Sequence, residues 1–95
     1  MEKTTVVLNN NKGEVQVFSD DSKAGFMDIE INDRLLTVFH TEVYPAYEGK
    51  GFARLLLTEL VNYARQNNLQ IIPLCPYVLM QFRRHPEAYK DVWAK

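Results

Sequence analysis

The chain has 95 residues, 46% of them apolar and 24% charged, with a formal net charge of −1. That length suits one domain spanning residues 1–95, which buries about two-thirds of its unfolded surface and so can hold a core without covalent staples. The near-neutral balance argues against a general nucleic-acid or anionic-membrane binder, the lone cysteine, Cys75, excludes an intramolecular disulfide, and no apolar run approaches the ~18 residues of a membrane-spanning helix.

The first residues, MEKTTVVLNNNKGE, hold no signal-peptide core, so a soluble cytoplasmic protein is expected. Thr4 to Leu8 is rich in β-branched residues and predicts a strand. Asn9-Asn10-Asn11-Lys12-Gly13 has turn chemistry, because Asn and Gly tolerate left-handed backbone. Glu14 to Phe18 alternates polar and apolar, as the second arm of a hairpin would. A polar loop, Ser19 to Lys23, leads to Ala24 to Ile31, with Met27, Ile29 and Ile31 on one face. Asn32-Asp33 turns the chain into a fourth strand, Arg34 to Val43. Strict alternation there puts Leu35, Thr37, Phe39, Thr41 and Val43 on one face and Leu36, Val38, His40 and Glu42 on the other. Short polar turns between four strands imply an antiparallel meander.

Phe52 to Asn67 sets Phe52, Leu56, Leu60 and Tyr63 with Ala64 near one helical stripe, and Asn67-Asn68 is a stop signal. Leu69 to Leu74 is nearly all apolar; after a helix, that predicts a buried strand parallel to the fourth. Cys75-Pro76 opens a second helix running to about Arg84, with Pro76 suited to the first turn. Pro86 ends it, and Glu87 to Trp93 is a short amphipathic tail that Tyr89, Val92 and Trp93 staple to the core. The fold class is therefore mixed α/β (α+β): a meander of about four strands, then helix, parallel strand, helix. Pro73 cannot donate to a sheet ladder. Pairing between 34–43 and 69–74 should fail near it and leave a gap at the carboxyl ends of the strands, where ligands bind in open α/β sheets.

Between the fourth strand and the first helix lies HTEVYPAYEGKGFARLLL, His40 to Leu57. A glycine-rich turn into a helix leaves backbone N–H groups unpaired, with the positive end of the helix dipole behind them, which makes an anion site suited to phosphate. The spacing fits neither the nucleotide P-loop nor the three-glycine dinucleotide fingerprint, whose third position falls here on Arg54. The stretch resembles the coenzyme-A loop of the GNAT superfamily of N-acyltransferases, written Q/R-x-x-G-x-G/A, preceded by V-x-P and followed by a Leu-rich helix. Val43 and Pro45 match the V-x-P, Gly51 and Ala53 the G-x-G/A, and Leu56 and Leu57 fall on the helix. Glu48 departs from the pattern, standing where the superfamily has Gln or Arg. HTEV, the glycine loop, IIPLCPYV and RRHPEAY, in that order, are similar to a small group of stand-alone GNAT-like proteins of about this length. The resemblance covers about Ala24 to Tyr89 and implies a minimal GNAT fold that takes acetyl-CoA or coenzyme A as cosubstrate, without a metal. It also implies contacts to that cosubstrate from Val43, Tyr44, Glu48, Gly49, Lys50, Gly51, Phe52, Ala53 and Arg54. The acceptor, an amine or a protein, is left unassigned.

Several residues have two readings. Lys50 and Arg54 are solvated side chains, or they serve the pyrophosphate and ribose phosphate of coenzyme A. His40 is a hydrogen-bonded strand histidine, or with Glu42 it forms a base and its partner. Tyr77 and Phe82 read as core residues. Cys75, expected at a helix N-terminus, is a small buried hydrophobe, a contact to pantetheine, or a nucleophile with a depressed pKa that accepts the acetyl group. The whole chain is then an N-acetyltransferase or a non-catalytic coenzyme-A-binding or interaction module. A nucleic-acid reading has only Arg83-Arg84 and scattered lysines behind it.

Overall fold

A computed structural model, which describes residues 1–94, shows a five-stranded sheet with strand order following chain order. The strands are β1 (Glu2–Asn9), β2 (Lys12–Ser19), β3 (Ser22–Asn32), β4 (Leu35–Val43) and β5 (Gln70–Pro73). The helices are α1 (Phe52–Gln66), α2 (Pro76–Arg84) and α3 (Pro86–Tyr89), with one 3₁₀ turn at Pro45–Tyr47. Strands β1 to β4 form the antiparallel meander, and β5 joins β4 in parallel. The turns are tighter than the sequence suggested. Asn10, Asp20 and Asp33 each take positive φ (61°, 54° and 54°), which Asn and Asp tolerate, so two-residue turns suffice and the strands run longer.

Strict alternation fails in β4. Val38 pairs with Ile29 but His40 with Asp28, so Phe39 is an extra residue, a β-bulge. Below the bulge Leu36 and Val38 are buried; above it His40 and Glu42 are exposed, while Thr41 and Val43 turn toward the helices. The expected grouping of His40 and Glu42 with Leu36 and Val38 is thereby corrected. One inserted residue reverses the facing of all that follow it, and it spares an imidazole and a carboxylate the cost of burial in the core.

The core lies on one face. The parallel steps from β4 to β5 and from β5 to the bridge at Trp93 advance in one direction, and right-handed crossovers then put α1 and α2 on the same side. Val15, Val17, Met27, Leu36, Val38 and Ile71 are fully buried there. Helix α1 buries Phe52, Leu56, Leu57, Leu60, Val61 and Ala64, a wider stripe than expected that omits the half-buried Tyr63. Helix α2 adds Val78 and Phe82. Phe82 stacks on Tyr89 at 4.8 Å and meets Trp93 at 5.5 Å, so the tail is stapled as expected. Arg65 fixes that tail from α1 through Asp91 (2.8 and 3.1 Å) and the Ala88 carbonyl (2.7 Å). The opposite face, with Phe26, Asp28, Thr37, His40 and Glu42, is half-buried or exposed. Among the described residues no helix is long and apolar enough to cross a membrane.

Candidate active site

The site begins where β4 and β5 part. Their pairing ends at Val38–Pro73, and the N–H groups of Leu74 and Cys75 both donate to the Val38 carbonyl, at 3.1 and 3.0 Å. The chain leaves the sheet there, and Phe39 to Val43 have no strand partner on that side. Pro73 stands where the pairing ends, as expected, but its missing N–H is not the cause: Gln70 and Leu74 donate on the β4 side and Ile71 to the tail, so the nitrogen of Pro73 lies on the edge away from β4. At its far end Tyr44 N–H donates to the Ala24 carbonyl of β3 (2.9 Å). Successive N–H groups of a strand point to opposite edges, so that of Val43 points into the fork.

The loop above the fork is built around two left-handed glycines. Gly49 (φ 81°) and Gly51 (φ 80°) adopt a backbone that other residues enter only with strain. Gly51 is the N-cap of α1 and offers no side chain to cap it. The first intrahelical bond is Leu55 N–H to Gly51 O (3.3 Å), so the N–H groups of Phe52, Ala53 and Arg54 precede it uncapped. Phe52 anchors the loop: its ring is 4% exposed and 5.9 Å from that of Tyr47. Of the expected contacts, Phe52 thus offers only its backbone. Glu48 is exposed, and its N–H donates to the Pro45 carbonyl (3.3 Å).

Beside this helix terminus is a cleft of about 440 Å³ lined by Gly51, Ala53 and Arg54 on one side and by Tyr77, Gln81, Arg84 and His85 of α2 and its cap on the other. No carboxylate lines it. Lys50, projecting from between the two glycines, is exposed and does not line it, whereas Arg54 does. Tyr77 is half-buried, packs against the core as expected and also lines the cleft; Phe82 is fully core. Burial pushes the Tyr77 phenol upward, and the nearby Arg54 charge partly offsets that. Tyr77, Gln81, Arg84 and His85 were missed as a group. Their signal was present as a polar stripe at helical spacing beside the apolar pair Val78 and Phe82.

Cys75 is the N-cap of α2, as expected. It is 2% exposed, and its Sγ lies 3.0 Å from Thr41 Oγ1 across the fork. His40 and Glu42 stand together on the other face of β4, Nε2 to Oε1 at 3.3 Å and both about half exposed. Phe26 packs against the His40 ring edge-on and against Tyr44, each at 6.1 Å. The structure thus brings Gly51 and Arg54 to one cleft, turns the Val43 N–H into the fork and places His40 beside Glu42, but it sets Cys75 and His40 on opposite faces of the strand. No group of three or more His, Cys, Asp or Glu able to hold a metal occurs among the described residues.

Comparisons with known proteins fit this geometry. A family model described as GCN5-related N-acetyl-transferase matches residues 14–92. No curated protein matches the chain. Among solved structures, a GCN5-like protein from Staphylococcus aureus superposes with a TM-score of 0.66 at 23% identity, covering 95% of this chain and 87% of that one. The ribosomal-protein-S18-alanine N-acetyltransferase of Escherichia coli gives 0.64 at 19% identity, over 70% of this chain and 43% of its own. The PaiA N-acetyltransferase of Thermoplasma acidophilum, solved with coenzyme A, gives 0.56 at 19% identity, over 62% and 37%. This chain thus matches less than half the length of those two enzymes, and at such identities the likeness is one of fold.

Proposed function

Since the chain belongs to the GCN5-related N-acetyltransferase family, we propose that it binds acetyl-CoA in the β4–β5 fork and transfers the acetyl group to an amine. The observation that carries this reading is a strand N–H, at Val43, that faces the fork without a partner strand, followed along the chain by an uncapped helix terminus at Gly51. The residues present fit the cosubstrate: three uncapped N–H groups and Arg54 suit a pyrophosphate, and the gap above Pro73 suits an extended pantetheine arm. Acetyl-CoA supplies an acyl group already activated as a thioester. The Val43 N–H polarises the thioester carbonyl as a one-donor oxyanion hole. His40, held by Glu42, takes the proton from the acceptor ammonium, a role for which its exposure on the open face leaves access; the freed amine forms the C–N bond at the carbonyl, the C–S bond breaks, and the departing coenzyme A thiolate takes the second nitrogen proton. Cys75, on the other side of β4, lines the fork.

The test is binding followed by turnover. Coenzyme A at about a hundred times its Kd should stabilise the fold by roughly 2.7 kcal/mol, about 10 °C or more in melting temperature for a chain of this size, and ATP and NAD should give no shift. Acetyl-CoA with a panel of amines and peptides, read by mass spectrometry, should yield an acetylated product, and His40→Ala should slow its formation by ~10²-fold or more while leaving the thermal shift intact. No shift with millimolar coenzyme A overturns the reading. A shift without turnover on any amine would favour a coenzyme-A-binding module.

A further inference from the structure

The geometry points to a second phosphate subsite on the last turn of α2, where Arg84, with Gln81 and His85, takes a phosphomonoester: the 3′-phosphate on the ribose of coenzyme A. This rests on the reading that the fork holds coenzyme A, and it assigns the nucleotide end of that ligand to residues outside the glycine loop.

The first ground is the balance of charge in the cleft. Arg54 and Arg84 face it from opposite walls, with His85 beside them and no carboxylate among the lining residues. Neither guanidinium has a hydrogen-bond or ion-pair partner among the described residues, whereas Arg65, on the same helix as Arg54, is fully engaged by Asp91 and Ala88. The chain has 12 acidic residues against 11 Lys and Arg, so the lack of partners is local and not a shortage of carboxylates. Two like charges across one gap repel, and an anion between them removes that cost.

The second ground is phase. Tyr77, Gln81 and Arg84 recur at helical spacing and share one stripe toward the cleft. Arg83 is turned about 100° from Arg84 and does not line the cleft. A cation in the last turn of a helix is favoured by the macrodipole, but that explanation applies to Arg83 and Arg84 equally and does not account for the convergence of only one of them on the α1 terminus.

The third ground is capacity. A pyrophosphate engages the uncapped N–H groups of α1 and the adjacent Arg54. Arg84 stands on the facing wall with its whole fork of donors available, the geometry that binds a terminal phosphate through two parallel hydrogen bonds. Gln81, one turn earlier, adds a neutral donor. A subsite of this kind selects nucleotides that carry a monoester on the ribose and discriminates against 3′-dephospho-coenzyme A and phosphopantetheine.

Isothermal titration of coenzyme A and 3′-dephospho-coenzyme A against wild type, Arg83→Ala, Arg84→Ala and Arg84→Lys tests this, with ligand-free melting curves to establish that each variant is folded. Wild type should prefer coenzyme A by about tenfold or more, as a charge-assisted contact requires. Arg84→Ala should bind both ligands with the wild-type affinity for the dephospho form, Arg84→Lys should keep part of the preference, and Arg83→Ala should keep all of it. Equal wild-type affinities, or a proportional loss of both ligands in Arg84→Ala, would overturn the subsite while leaving coenzyme-A binding in place. Failure of wild type to bind either ligand would overturn the reading beneath it, and the subsite with it.

Discussion

Gly49 and Gly51 allow backbone strain to be separated from ligand exclusion. Their φ angles, 81° and 80°, are nearly the same, and a Cβ built on either meets no atom within 4 Å. An alanine at either position therefore costs only the left-handed backbone penalty, about 1–2 kcal/mol. With a melting shift of roughly 4–8 °C per kcal/mol in a domain of this size, both variants should melt lower by similar amounts, within about 5–15 °C of wild type. Their ligand responses should differ. Gly51 lines the cleft and precedes the uncapped N–H groups, so its new methyl stands where a phosphate oxygen approaches; Gly49 lies outside the lining. Gly51→Ala should lose at least tenfold in coenzyme-A affinity, about 1.4 kcal/mol, whereas Gly49→Ala should bind as wild type does. Differential scanning calorimetry gives the first comparison and titration calorimetry the second. Equal affinity in the two variants would refute the assignment of the anion to the α1 terminus, even if both were destabilised as expected.

Two further outcomes follow from single contacts. Cys75 is buried and bonded to Thr41, so iodoacetamide should alkylate it more slowly than free cysteine, and acetyl-CoA without an acceptor should leave no acetyl adduct in the intact mass; an adduct on wild type that Cys75→Ala lacks would instead make the thiol a covalent relay. The hydrogen bond from Arg65 holds the Asp91 carboxyl below its usual range, so its contribution is present above the unfolded carboxylate pKa of about 3.9 and is lost as pH falls through the lower folded value. The pair is about half exposed and is worth no more than ~1 kcal/mol. Asp91→Asn should therefore lower stability slightly at neutral pH and flatten the acid limb of the melting temperature, and an unchanged acid limb would show that the pair does not contribute.

Features of the fold that depend on local chemistry could be read from the sequence. The hairpins follow from Asn and Asp at the turns and the start of α1 from Gly51, while Pro73 marks the place of the fork without causing it, since its nitrogen faces the tail. Cys75 falls at the start of α2 because Pro76 fits a first helical turn. What the sequence hid depends on events between elements. The bulge at Phe39 has no glycine or proline to announce it; it shows only in the pairing, where Gly25–Asn32 of β3 faces the one-residue-longer Leu35–Val43 of β4, and it reverses the facing of His40 and Glu42. Lys50 and Arg54 were equivalent as basic residues near a helix start, but only the helical phase of Arg54 turns it to the cleft. Gln81, Arg84 and His85 join the site because α2 lines the same cleft as the terminus of α1; their stripe can be read within α2, but what it faces cannot.

The bridge between Ile71 and Trp93 also bears on how the sheet ends. Ile71 N–H donates to Val92 O (2.6 Å) and Ala94 N–H to Ile71 O (2.9 Å), so the tail runs alongside β5 and occupies backbone groups that would otherwise lie open. Strand edges invite pairing with other chains, and proteins commonly shield them. The outer border of β1 presents eight residues, but they include the charged Glu2 and Lys3 and belong to a strand that is mostly exposed on both faces. The two borders are thus protected by different means, one by a strap of the chain's own tail and the other by charge and hydration. A shortened tail would leave β5, the shorter and more apolar strand, as a sticky border beside the fork.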